Sequence, residues 1–265
     1  MTGITLGPVV LSIDRFAFIA GVVAFLVLVA LARRSNQAPA GLDGWSTALL
    51  VTGLVAGRLG HVLRNFKIYS EDPLTAIAFW QGGFDPVAAF GAAAIVLAAL
   101  ALRGCARVSG MLLTTGMAGV LVWQTVLHTL PAPEMMLPPT SFAALDGPPV
   151  ALAPGQPVVI NLWASWCPPC HRELPMMMAL AETTPDVQVL FINQGEFGPD
   201  VRQYLLKEDL NTDRVLLDPD TRAMGLFQTP GLPATLFFSS SGQLASVHLG
   251  EISRAAFKSQ LQSLR

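Results

Sequence analysis

Cys167 and Cys170 stand three residues apart in Trp166-Cys167-Pro168-Pro169-Cys170-His171. Cysteines at i and i+3 across the first turn of a helix can reach disulfide distance. At a helix N-terminus the orphan N–H groups favour the thiolate, the attacking species in thiol–disulfide exchange. Cys167 is therefore expected as the nucleophile. Cys170, one turn further in and more buried, is expected to resolve the mixed disulfide. Pro168 and Pro169 remove two N–H donors, which points to a more reducing couple. A zinc site is disfavoured: structural zinc takes four ligands, no second pair of cysteines exists, and His171 and His248 do not complete a set. A purely structural bridge over three residues would close almost no loop. No metal and no cofactor is expected. The string Cys167–His171 also matches a haem-attachment pattern, but its strand-then-helix context favours redox chemistry.

The elements around the pair are readable. Pro157–Ser165 is a short apolar run of β-branched and aromatic type, expected as a buried strand. The helix after Cys167 carries prolines in its first turn, where a missing N–H costs nothing. Val187–Asn193 reads as a second buried strand. A helix, a short extended piece, a short helix, a hairpin and a closing amphipathic helix follow. Strand–helix–strand, then helix, hairpin and helix, is a thioredoxin-like α/β order.

The first half is of another kind. The chain has 265 residues, 52% of them hydrophobic and only 13% charged, against about 25% charged in a typical soluble domain. Residues 1–135 hold eight Lys/Arg and six Asp/Glu, whereas residues 136–265 hold eight and twelve. A net charge of −2 implies no nucleic-acid partner. Four apolar stretches approach the length of about 20 residues that a membrane helix needs: Phe16–Ala32, Trp45–Leu63, Pro86–Leu102 and Gly110–Leu130. Arg33 and Arg34 follow the first, and Arg103 and Arg107 join the third to the fourth. These basic loops are expected in the cytoplasm, with both termini outside. Arg64 and Lys67 between the second and third spans oppose that orientation. Cys105 then faces the cytoplasm as a structural thiol. Arg58 and His61 share a helix face and are expected near its outer end, reaching headgroups.

Two resemblances add to this. The segment Gly57–Asp85, with its arginine–glycine helix end, asparagine-containing loop and tryptophan-x-glycine-glycine turn, resembles the prolipoprotein diacylglyceryl transferase family. It lacks the histidine that the family places after the glycine pair, and this chain turns into a linker where the family has further spans. The resemblance therefore implies a truncated relative without transferase activity. The segment Gly155–Pro175 resembles the active-site region of TlpA-like disulfide reductases. "GLPATLFF" resembles the segment carrying that family's cis-proline, which would be Pro233, with the Leu232 backbone presented to an incoming peptide. "INQGE" resembles the family's N-x-G-E, so Glu196 is expected under the site as a buried carboxyl that exchanges a proton with Cys170. Glu173 and Pro175 match the E-x-P after the cysteines. Trp166 is expected to cover the cysteine pair or to pack in the core. Met176–Met178 cannot share one helix face and read as core and surface residues.

The expected architecture has two domains: an N-terminal α-helical membrane domain of about four spans (residues 1–131) and a C-terminal α/β thioredoxin-like domain (141–265). A Pro-rich linker, 132–140, joins them. The expected function is a membrane-anchored, extracytoplasmic thiol–disulfide oxidoreductase with a redox-active Cys167–Cys170 disulfide. It would sit multi-pass in the inner (cytoplasmic) membrane with the redox domain facing the periplasm or cell exterior. Expected partners are protein disulfide substrates, of the kind met in cytochrome c maturation or copper delivery, the lipid bilayer, and a separate transmembrane dithiol electron donor. The donor is required because the spans hold no cysteine. An oxidant or isomerase, a lipoprotein lipid-transferase relative and a non-catalytic binding module are the alternatives.

Overall fold

The structure, a computed structural model, describes residues 3–6, 9–35, 38–70, 73–79, 82–130 and 135–264. Trp80 of the expected tryptophan–glycine turn and 132–134, the first residues of the expected linker, lie outside them. The chain divides into two compact units, Ile13–Pro131 and Met1–Ser12 with Ala132–Arg265.

A short antiparallel hairpin, β1 (Gly3–Leu6) and β2 (Val9–Ser12), precedes the helices. The helical unit contains α1 (Ile13–Arg33), α2 (Leu42–Arg64), the single turn α3 (Phe66–Tyr69), α4 (Pro86–Leu102) and α5 (Ala106–Thr129). Among the described residues α1, α2 and α5 are long and apolar enough to cross a membrane. The expectation of about four spans is corrected to three of full length. The fourth helix, α4, has 17 residues, because the buried Asp85 caps its start by accepting from Ala88 N (3.0 Å) and Gly104 at φ 81° ends the turn after it. Leucines, valines and phenylalanines such as Phe18, Val27, Val55, Leu59 and Leu121 are exposed on these helices, which suits a lipid solvent rather than water.

Small residues set the helix contacts. A Cβ on Gly21 of α1 would lie 2.8 Å from the Gly119 carbonyl of α5, and a Cβ on Gly119 the same distance from the Gly21 carbonyl. Backbones at this spacing pack without relying on a hydrophobic effect.

Arg58 departs from the interfacial expectation. It is 9% exposed. Its guanidinium donates to the carbonyls of Ala76 (2.8 Å), Thr75 (2.6 Å), Ala78 (3.3 Å), Gly83 (3.0 Å) and Gly82. The segment that follows α3 forms only a short 3-10 turn, Pro73–Ile77, in which Ala78 N reaches Thr75 O (3.2 Å), and Arg58's five-donor fork adds donors to its carbonyls and to those of Gly82 and Gly83. The Tyr69 ring lies 5.5 Å below the guanidinium.

The second unit contains a seven-stranded sheet. Its elements are β3 (Ser141–Ala144), β4 (Val150–Ala151), β5 (Val158–Trp163), α6 (Pro168–Glu182), β6 (Gln188–Gln194), α7 (Gly198–Lys207), β7 (Val215–Asp218), α8 (Arg222–Leu226), β8 (Ala234–Phe238), β9 (Leu244–Leu249) and α9 (Arg254–Ser263). The strand order is β4-β3-β7-β6-β5-β8-β9. β5, β6 and β7 run parallel, and β8 lies antiparallel to β5. Every residue of β5 and β8 is buried, as expected for central strands covered on both faces. Alternation along β5 sends Val159 and Trp163 to one core, with α6 and α9, and Val158, Ile160 and Leu162 to the other. This is the thioredoxin-like α/β architecture expected. Inside the expected linker, Leu137 is buried and its N–H reaches Gly242 O (2.7 Å), while Leu244 N reaches Met135 O (2.8 Å). That stretch lies along the entry to β9.

Candidate active site

The site forms where β5 and β6 end, the edge at which parallel strands present their loops. Cys167 is the N-cap of α6, with extended backbone, and Pro168 and Pro169 fill the first helical positions. Cys167 and Cys170 form a disulfide with Cα atoms 5.3 Å apart. Cys167 is 3% exposed and Cys170 fully buried.

A cis Leu232–Pro233 bond leads into β8. Ala234 pairs with Leu162, so Pro233 sits just past the end of β5 where the cysteine loop begins. Leu232 packs against the core cluster that contains both cysteines. Trp166 is 66% exposed and so does not pack in the core; the buried tryptophan is Trp163, two residues before the loop.

Two carboxylates belong to this region, and the one expected to be buried, Glu196, is the shallower of them. Glu196 is only half-buried. Gly195, at φ 77°, turns the chain at the end of β6 so that Glu196 faces back to the neighbouring loop. There it accepts from Ser165 N (2.7 Å), from Asn193 Nδ2 (2.7 Å) and from the Ser165 hydroxyl. The buried carboxyl is Glu173, 1% exposed. Its Oε1 accepts from Asn161 Nδ2 (2.9 Å) and its Oε2 from Ile252 N (2.9 Å). Burial pushes it up to about 8, against those two hydrogen bonds, which pull it down. Glu173 lies three residues after Cys170, on the same buried face of α6. Asn161 shares the face of β5 that carries Val159 and Trp163, and it also donates to Thr235 Oγ1 (3.1 Å). The sequence signal for Glu173 was the i, i+3 spacing from an inward cysteine. His171, expected to point away, turns back: its Nε2 contacts the Ser165 carbonyl. Among the described residues no group of three or more His, Cys, Asp or Glu is placed to hold a metal.

Residues 130–247 match the AhpC/TSA family, and residues 4–126 match the prolipoprotein diacylglyceryl transferase family. Thiol-disulfide oxidoreductase ResA of Geobacillus thermodenitrificans is 26% identical over 113 residues, 42% of this chain and 64% of the relative. Thiol:disulfide interchange protein DsbE of Allochromatium vinosum is 28% identical over 138 residues, 51% of this chain and 73% of the relative. Among solved structures, a thioredoxin-family thiol:disulfide interchange protein of Chlorobium tepidum is 26% identical, covering 51% of this chain and 98% of that one at a TM-score of 0.44. The chain spans about 64% of the length of the ResA relatives it matches. The C-terminal half thus has a thioredoxin-like α/β fold and matches the AhpC/TSA family, and the helical region matches the prolipoprotein diacylglyceryl transferase family.

Proposed function

We propose that this chain is a membrane-anchored thiol–disulfide oxidoreductase that reduces disulfides in client proteins outside the cytoplasm. The observation that carries the reading is the Cys167–Cys170 disulfide at the start of α6, with the buried Glu173 one turn beyond. In the reduced enzyme the Cys167 thiolate attacks a client disulfide, forming a mixed disulfide and releasing one client thiolate. Cys170 then loses its proton and attacks the Cys167 sulfur. The enzyme disulfide forms, the second client thiolate leaves, and both client thiolates take up protons. Two electrons pass from the enzyme dithiol to the client. Glu173 has a proton affinity near that of a thiol, which suits it to exchange a proton with Cys170, accepting one in its ionised form and donating one in its neutral form. By the TlpA resemblance, the backbone of Leu232, before the cis Pro233, would be presented to an extended client segment.

In this reading residues 1–131 are an anchor without transferase activity. Gly82 and Gly83 are followed by Phe84 and Asp85, with no histidine. The redox domain begins near Met135, a few residues before Ser141, because that stretch pairs at β9. Arg33, Arg34, Arg103 and Arg107 favour an orientation that puts the redox domain outside. Clients of cytochrome c maturation or copper-delivery type fit the TlpA resemblance. Recharging needs a separate transmembrane dithiol donor, since the helical region holds a single cysteine, Cys105.

The test uses the full chain in detergent. Cys170→Ser, incubated with cell-surface extract, is expected to accumulate mixed disulfides through Cys167, and wild type to reduce insulin. If Cys167→Ser reduces insulin as fast as wild type, the reading fails. A measured potential separates a reductant from an oxidant.

A further inference from the structure

We infer that His171 and Glu196 are positioning residues for Cys167, acting jointly through Ser165. This rests on the redox reading above for its chemistry, though not for its geometry.

Ser165 lies two residues before the nucleophile, at the point where the chain leaves β5. All of its polar groups are held. Its N–H donates to Glu196 Oε2 at 2.7 Å and its hydroxyl to Glu196 Oε1. Its carbonyl accepts from His171 Nε2, which must therefore carry a hydrogen. The holders come from two different elements: Glu196 from the turn after β6, and His171 from the first turn of α6. Each holder is itself fixed. Asn193 Nδ2 donates to Glu196 Oε2 at 2.7 Å. The His171 ring stacks on Tyr204 of α7, with centroids 4.9 Å apart, and Tyr204 packs on Trp163 at 5.6 Å.

A loop carrying a nucleophile is free to swing unless its backbone is tied down, and the field of the α6 N-terminus acts on the Cys167 sulfur only at short range. The clamp closes on both sides of the turn. Glu196 holds where the chain enters it, and His171 ties its carbonyl to the helix that starts with Cys167. The Cys167 N–H bond to Ala164 O (3.2 Å) and the His171 N–H bond to Cys167 O (3.3 Å) complete the turn. Neither His171 nor Glu196 needs to transfer a proton in this role. Both act by shape: in Glu196→Gln the amide oxygen can still accept from Ser165 N and Asn193 Nδ2 while the NH2 donates to the Ser165 hydroxyl, which turns to accept, and in His171→Gln the NH2 can donate to the Ser165 carbonyl.

That substitution is the test. In the full chain, reduced and in detergent, the pH dependence of Cys167 alkylation is measured in a Cys170→Ser background. Glu196→Ala and His171→Ala are expected to move the midpoint upward and to slow alkylation at pH 7 by about threefold to tenfold. Glu196→Gln and His171→Gln are expected to stay close to the parent. Adding Ser165→Ala to Glu196→Ala is expected to cost less than the two separate effects predict, since both remove the same bond. If the Gln and Ala variants shift alike, the residues act through charge and the proposal falls. It falls also if His171→Ala matches the parent. Alkylation reads the clamp even if the chain proves unable to reduce insulin, so the two readings fail separately.

Discussion

Arg58 in the helical unit and Glu173 in the redox unit are both ionisable side chains taken out of solvent, and their surroundings differ in kind. Arg58 meets five backbone carbonyls, enough for its whole donor fork. Nothing is left over for a ligand or a proton. Glu173 meets two amide donors, one on each oxygen, and burial holds its proton on up to about pH 8. A carboxyl keeps the freedom to change charge; a guanidinium does not. The first arrangement is a clasp that lets irregular backbone exist beside apolar helices. The second is a buried carboxyl one helical turn beyond Cys170, which the proposed mechanism uses to exchange a proton.

The largest expected effect breaks the clasp. Arg58→Leu removes five hydrogen bonds to backbone carbonyls, at about 1–3 kcal/mol for each acceptor left buried without another donor. The helical unit should lose more than about 3 kcal/mol and accumulate poorly. Arg58→Lys, with three donors, should recover part of this. Thermal unfolding of the full chain in detergent is the measurement. A Leu variant as stable as wild type would mean that the segment after α3 is held by something else.

Next comes the buried carboxyl. Glu173→Gln should slow insulin reduction by about 10²-fold, near the lower end for lost proton transfer. It should also change stability against pH, with a definite sign. Glu173 binds its proton more tightly folded than unfolded. Its contribution is therefore whole below the ordinary carboxyl range and is lost as pH rises toward about 8. The slope in that window is at most about 1.4 kcal/mol per pH unit. Denaturant unfolding of the oxidised protein at pH 5 and pH 8 should show wild type weakening more than Glu173→Gln. Equal weakening would place the buried proton elsewhere.

What the residue pattern revealed, and what it hid, follows the same division. The cysteine pair, the cis-proline segment and the two-solvent architecture all lie in local signals: spacing, composition and a short run around Pro233. The span count slipped at α4 because its ends are set by a cap at Asp85 and a glycine turn rather than by hydropathy. Arg58 looked interfacial because its partners are carbonyls 17 to 25 residues away, which carry no side-chain signature. Glu196 was favoured as the buried acid on its motif. Depth, however, is decided by which face of α6 and β5 a residue occupies, and that face belongs to Glu173 and Asn161. Ser165 carries no motif of its own; its role appears only when the turn after β6 and the first turn of α6 are folded against it.

The smallest effect sharpens the comparison by approaching Glu173 from outside. Arg172 is adjacent in sequence, exposed, and paired with Glu251 at 2.6 Å. Glu251 lies beside Ile252, whose N–H holds Glu173. As stability, such a pair, solvated on its arginine side, is worth about 0.2–1 kcal/mol and weakens with salt. Its charges act on Glu173 in opposite directions: Glu251 raises it and Arg172 lowers it, both less than burial does. Glu251→Gln should therefore move the pH profile of Cys170 reactivity toward acid, and Arg172→Met toward base. The shifts should be small and shrink further at high salt. Shifts in the same direction would mean that the pair acts by holding the loop of Ile252 rather than by its charges. In that case the carboxyl is tuned by packing alone, and the contrast with Arg58 becomes one of partner chemistry rather than of electrostatics.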